Sequence, residues 1–269
     1  MISCIISVMN RTKQLEQILP TWTNIPEIKD FVIVDWSSNE PIIESPIIKN
    51  ETYKNKNIKI IRVENEKFFY RCLAWNLASK YIDNEIILKL DADSSNIDSS
   101  WINYLNLIKL DESKNSPYIL NKYFLSGSNL FSKDSSGFLL VNKKDFENVK
   151  GYNENFEAVW GYDDIDLNLR LDRYLLSKFQ RPQISEWTNS RKIIFFNIQK
   201  YISNINTSDE ERVANLKGNY KISNNSIKED IFRKASINDF IAKNKTIWTP
   251  QKYDIIYKSD NYFTLKRII

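Results

Sequence analysis

The chain has 269 residues, 42% hydrophobic and 27% charged, enough apolar material for one large domain or two small ones with a substantial core. Its 38 basic and 34 acidic side chains leave a net charge of +4, and no dense Lys/Arg run gathers the excess, which argues against nucleic acid as a partner. No apolar run approaches the ~20 residues of a membrane span, and the start, MISCIISVMNR, lacks a basic leader region, so a cytoplasmic protein is expected.

Ile2 to Val8 reads as a short buried strand ending in Asn10-Arg11, and Lys13 to Trp22 as a helix. Phe31-Val-Ile-Val34 forms a second strand ending in Asp35, and Ile58 to Val63 a third. Leu73, Leu77 and Tyr81, with Ala74 and Ala78, repeat at helical spacing, and Glu85 to Asp91 supplies a fourth strand. Continuous apolar strands separated by helices predict a mostly parallel sheet flanked by helices, an α/β fold. Phe124 to Leu130 and Gly137 to Val141 look like paired strands, giving a small second sheet, and a short helix follows around Asp145 to Val149. Residues 1–200 are read as the main domain, with a nucleotide-binding half (1–100) and an acceptor half (101–200). Residues 201–269 are read as a polar extension packed on it. Ile227, Ile231, Phe232, Ala235 and Phe240 could form one amphipathic face in that tail. Packing on the main domain is the preferred reading, with docking at a membrane surface as the alternative.

Cys4 and Cys72 stand in apolar surroundings and are read as buried free thiols rather than a disulfide. In a parallel sheet ligands bind beyond the carboxyl ends of the strands, and here those ends carry Asn10-Arg11, Asp35 and Asp91-Ala-Asp93. With five glycines in all and no Gly-x-Gly-x-x-Gly turn, neither a dinucleotide cradle nor a P-loop is available. In an extended segment Asp91 and Asp93 would face the same way, two carboxylates suited to a divalent cation. The bland alternative is a pair of turn-forming aspartates. Arg71 and Asn76 fall near the start of the helix that precedes that strand, where Arg suits a phosphate or a planar base.

The acidic stretch Trp160-Gly-Tyr-Asp163-Asp164-Ile-Asp166 opens another helix, with Leu167 and Leu171 as its apolar stripe. Taken in order, Val34-Asp-Trp-Ser-Ser38, the Arg71/Asn76 helix, Leu-Asp91-Ala-Asp93, Gly137-Phe-Leu-Leu, Gly151-Tyr and this acidic stretch resemble the GT-A glycosyltransferases, near family 2 and the galactosyltransferase-like branch. The resemblance runs from about Ser3 to Leu171 and implies a Rossmann-like GT-A fold. It implies that Asn10, Arg11, Asp35, Arg71 and Asn76 bind the nucleotide of the donor, together with Asp91 and Asp93. Asp93 would be the metal ligand and Asp91 its companion, with Mn or Mg as the cofactor. Gly137, Trp160 and Asp163 would meet the acceptor sugar, and Asp164 would be the catalytic base. Asp166 is read instead as part of the helix start.

The implied activity is a metal-dependent inverting transfer of a sugar, from a UDP-hexose or UDP-N-acetylhexosamine to a hydroxyl of a saccharide or glycoconjugate, as in polysaccharide biosynthesis. The chain departs from the family in having no histidine, where relatives use one as a further metal ligand. An amide oxygen of Asn197 or Gln199 is one candidate replacement, and a water is the other. Tyr162 and Asp163 replace the family's usual glycine and glutamate before the base. A carbohydrate- or nucleotide-sugar-binding protein with impaired catalysis is the alternative.

Overall fold

The computed structural model describes residues 1–49, 56–99, 102, 138–159, 161–178, 218–219 and 237–268, with the backbone of 124–126 and 202–204. Gly137, Trp160, Asn197, Gln199 and the stretch from Ile227 to Ala235 lie outside the described residues.

Strands β1 (Ile2–Val8), β2 (Ile28–Trp36), β3 (Asn57–Glu64) and β4 (Ile86–Asp91) are the four runs legible in the sequence. Three short strands come next, β5 (Ser94–Asn96), β6 (Phe124–Ser126) and β7 (Leu139–Asn142), then β8 (Ile202–Asn204), β9 (Tyr253–Lys258) and β10 (Tyr262–Arg267). Eight of them build one sheet in the order β6-β7-β4-β1-β2-β3-β10-β9, while β5 and β8 form a separate pair. β4, β1, β2, β3 and β10 run parallel. β7 and β9 are antiparallel to their neighbours. The fold is the α/β class expected. The paired strands β6 and β7 extend the main sheet, and β5–β8 is the small second one.

Helices α1 (Thr12–Thr23), α2 (Pro46–Lys49), α3 (Arg71–Ser79), α4 (Lys143–Asn148) and α5 (Asp163–Lys178) are joined by α6, 237–244. Because side chains alternate along a strand, the sheet buries two cores. On one face Ile5, Val32, Val34 and Ile87 meet Leu73 and Leu77 of α3 and Leu167 and Leu171 of α5. On the other, Cys4, Ile6, Ile33 and Leu88 meet Leu15, Ile18 and Trp22 of α1. Cys4 and Cys72 are buried free thiols, as read.

β9 and β10 show no apolar run in sequence, yet β10 pairs with β3 along Ile60 to Glu64. Arg267 at its end grips Glu66 with two bonds of 2.6 and 2.8 Å, which fixes this strand over a span of two hundred residues. Gly151 turns with φ +62°, and a Cβ there would run into Asn76 Oδ1 and the Phe146 ring. Only glycine lets the chain pass so close to α3.

Candidate active site

The strand register sets three carboxyl ends level: Val8 lies opposite Asp35, and Ser7 opposite Asp91. Beyond β1 the chain turns at Asn10, φ 56°, and beyond β2 at Ser37, φ 55°. The two turns are clasped together. Asn10 N donates to Ser38 Oγ (3.0 Å), and Asn39 N donates to Asn10 Oδ1 (2.8 Å). Asn10 Nδ2 donates to Asn219 Oδ1 at 3.0 Å. Asp35 is buried, and both its oxygens are taken up locally. Ser38 N donates at 2.9 Å, Ile42 N at 3.1 Å and Arg62 Nη1 at 2.6 Å. It therefore shapes the loop beyond β2.

The Asp-x-Asp segment is not extended through its length. β4 stops at Asp91 and Ala92-Asp93 turns before β5, so strand alternation does not carry through the segment. The two carboxylates still adjoin: burial and then the Asp91 charge raise the proton affinity of Asp93, against the pull of Arg11. Arg11 Nη1 stands 2.9 Å from Asp93 Oδ2.

Alternation puts Lys89 on the same face of β4 as Ile87 and Asp91, against α3 and α5. Its side chain is fully buried, with Nζ 3.0 Å from Asp91 Oδ1 and 3.6 Å from Asp164 Oδ1. The ammonium also lies over the Trp75 ring at 3.7 Å, a favourable cation–π arrangement when desolvated. Burial alone would lower its pKa, but Asp164, Asp91 and Asp163 more than reverse that. Lys89 is thus a charged bridge between the strand-end carboxylates and the acidic helix.

Asp163 and Asp164 open α5, where the helix N-terminus tolerates negative charge. Arg71, the first residue of α3, stands 3.0 Å from Asp163 Oδ2. Tyr152 Oη donates to Asp164 Oδ1 at 3.1 Å, and the Tyr152 ring packs on Trp75, centroids 4.7 Å apart. Burial chiefly raises the pKa of Asp164. Asp163 and Asp91 push the same way, while Lys89 and Arg71 oppose. With its side chain 23% exposed, Asp164 reaches solvent and could take a proton from a bound hydroxyl. Asp166 differs: Arg170 holds it by two bonds of 2.9 and 2.6 Å and also caps Val149 O and Gly151 O.

Asn76 is buried and spent on support. It donates to Tyr152 O (2.9 Å) and Glu154 Oε1 (2.8 Å) and accepts from Tyr152 N (2.8 Å). The structure thus gathers Arg11, Arg71, Asp91, Asp93, Asp163 and Asp164 along one edge. Asn76 and Asp35 act one layer behind. Sequence reading missed Lys89 and Tyr152. The signal for the first was a lone cation inside Ile86-Ile-Leu-Lys-Leu, a run otherwise fit for a central buried strand.

Residues 125–193 match the family model described as the N-terminal domain of galactosyltransferase. Over that segment, and no further, the chain is similar to that domain. The matched segment carries α4, Gly151, Tyr152 and α5 with Asp163 and Asp164; Asp91 and Asp93 lie outside it. No curated protein gives a sequence match. Among solved structures, the chain is similar to the mannosyltransferase PcManGT of Pyrobaculum calidifontis in complex with GDP-Man and Mn2+, with 15% identity and a TM-score of 0.47. That likeness covers 64% of this chain and 51% of the mannosyltransferase. It is also similar to S. aureus TarS, at 14% identity and a TM-score of 0.48 over 63% of this chain and 33% of TarS. The catalytic domain of Drosophila beta1,4galactosyltransferase 7, complexed with xylobiose, is 13% identical, with a TM-score of 0.46 over 99% of this chain and 92% of that domain. The chain thus spans about half of the mannosyltransferase and a third of TarS.

Among the described residues no group of three or more Cys, Asp or Glu side chains could enclose a metal. No described helix is long and apolar enough to cross a membrane.

Proposed function

We propose that the chain is an inverting glycosyltransferase, moving a hexosyl or N-acetylhexosaminyl group from a UDP-sugar to a hydroxyl of a saccharide or glycoconjugate. The observation that carries the reading is Asp164: part-exposed, its proton affinity raised, and joined through Lys89 to the carboxylate that ends β4.

Asp93 and Asp91 fit a divalent cation, Mn or Mg. They are adjoining carboxylates, and burial together with their mutual repulsion outweighs the compensation from Arg11. Two carboxylates suffice for an ion that keeps waters and takes its remaining oxygens from substrate phosphates. When bound there, the cation neutralises charge developing on the leaving diphosphate. Arg11, on the rim beside Asp93, is placed to face the same diphosphate, and Asn10 fixes the turn that presents it.

Asp164 accepts the proton of the acceptor hydroxyl while that oxygen forms its bond to the anomeric carbon. The bond from that carbon to the diphosphate oxygen breaks, and UDP leaves with the electron pair. Attack opposite the leaving group inverts the anomeric centre. A carboxylate of ordinary pKa ~3.9 is a weak base, and the buried, acidic surroundings of Asp164 strengthen it. Tyr152 Oη and Lys89 hold its Oδ1, leaving the other oxygen for the acceptor. Asp163 with Trp160 and Gly137 is assigned to the acceptor side.

Calorimetry of UDP with and without Mn2+ or Mg2+ tests the donor side. Asp93→Ala should abolish the metal-dependent part of UDP binding. Unchanged affinity and unchanged metal dependence in that variant would contradict the assignment. Metal-dependent binding without any release of UDP from UDP-hexoses or their N-acetyl counterparts would favour a sugar-nucleotide-binding protein instead.

A further inference from the structure

The last described segment, 237–268, contributes more than two strands to the sheet. Along its first part it lies against the loop that leads into α5. Lys245 O accepts from Asn153 Nδ2 (3.0 Å) and Asn155 Nδ2 (3.1 Å). Gln251 N donates to Glu154 Oε2 at 2.6 Å, and the Trp248 ring sits 5.0 Å from the Arg170 guanidinium. These contacts hold the loop's beginning and the helix's second turn. The turn just before Asp163 has a different holder.

Asn238, in the first turn of α6, is 1% exposed. Its Oδ1 accepts from Glu157 N at 3.1 Å and its Nδ2 donates to Gly161 O at 3.2 Å. One side chain therefore ties Glu157 N to Gly161 O. The backbone at the end of this loop is strained. Gly161 has φ 105° and Tyr162 φ 66°, the latter a conformation that a residue bearing Cβ adopts rarely. Tyr162 O then accepts from Asp166 N at 2.9 Å, the first bond of α5. The direction of the helix start, and with it the carboxylate of Asp164, depends on the peptide that Asn238 holds.

We propose that Asn238 is a positioning residue for Asp164, fixing the Gly161–Tyr162 turn so that the base faces the acceptor hydroxyl. The C-terminal segment is then part of the catalytic apparatus. The inference rests on the reading of Asp164 as the base. It requires that Asn238 act on the chemical step alone, since none of its bonds reaches the donor rim.

The test is a double-mutant cycle in the full chain: Asn238→Ala, Asp164→Asn and the pair together. The readouts are UDP release at saturating donor with Mn2+, from whichever of UDP-glucose, UDP-galactose and their N-acetyl counterparts the wild type turns over, and calorimetric UDP affinity. Misplacing a catalytic group by about 1 Å costs up to ~100-fold, so Asn238→Ala should lower kcat about 10- to 100-fold with UDP affinity within about twofold. In the Asp164→Asn background the same substitution should cost less than about twofold, because its effect runs through the missing carboxylate. Asn238→Asp keeps the acceptor for Glu157 N and loses the donor to Gly161 O, so it should show the same kcat loss if the alanine variant fails to fold. Equal losses in both backgrounds, a parallel loss of UDP affinity, or wild-type kcat in a folded Asn238 variant would overturn the proposal. A wild-type rate in Asp164→Asn alone would instead overturn the base itself, a failure visible before Asn238 is touched.

Discussion

Lys89 Nζ lies 3.6 Å from Asp164 Oδ1, reaching from the interior of β4 to the first turn of α5. The same ammonium stands 3.0 Å from Asp91. One buried cation thus shares its charge between the proposed base and a strand-end carboxylate. Burial raises the proton affinity of Asp164, and Lys89 is the foremost influence holding it down.

Lys89→Met keeps length and removes the charge. An opposite charge this close depresses a carboxyl pKa by about one unit or more, so its loss raises that of Asp164. The base must be ionised to work, and the acid limb of the kcat–pH profile should therefore move to higher pH. A profile superimposable on the wild type would show that Lys89 does not govern the base.

Asp163→Asn should move the same limb the other way. The Asp163 charge raises Asp164, and removing it also frees Arg71, whose pull is downward. Both changes favour the ionised base at lower pH. The pH–rate profile of this variant, with acceptor KM measured alongside, checks the sign.

Asp166→Asn separates support from chemistry. It removes the negative charge from Oδ2, the single oxygen that accepts both bonds from Arg170, whose other bonds hold Val149 O and Gly151 O. Charged hydrogen bonds of this kind contribute about 2 kcal/mol, so urea unfolding should show a loss of that order. Turnover of the folded variant should stay within a few-fold of wild type. An inactive but fully stable variant would reverse the roles of Asp164 and Asp166.

The strands that carry the site were legible because β1, β2 and β4 are apolar runs closed by polar residues, a pattern that only a sheet covered on both faces produces. Asp163 and Asp164 were legible as an acidic helix start. The turn at Ala92-Asp93 was not, because alternation describes a strand and says nothing about where pairing stops. Lys89 was hidden for a related reason. A lysine in a central strand is tolerable only when fixed counter-charges meet it, and one of these, Asp164, lies 75 residues further along. β9 and β10 mix Ile and Tyr with Lys, Asp and Arg, so neither gives a continuous run. β10 is held by β3 and by the Glu66–Arg267 pair, partners that local pattern cannot supply. Asn238 and Asn219 likewise act on residues far away in sequence.

The most direct measurement is the transfer rate of Asp164→Asn at saturating donor, with UDP affinity determined on the same preparation. The substitution keeps size and polarity and removes proton affinity. The account predicts a fall of about 100- to 10,000-fold in kcat, the span of a lost general base, with UDP affinity unchanged. Near wild-type transfer by this variant would contradict it and leave the acidic cluster as a helix terminus only.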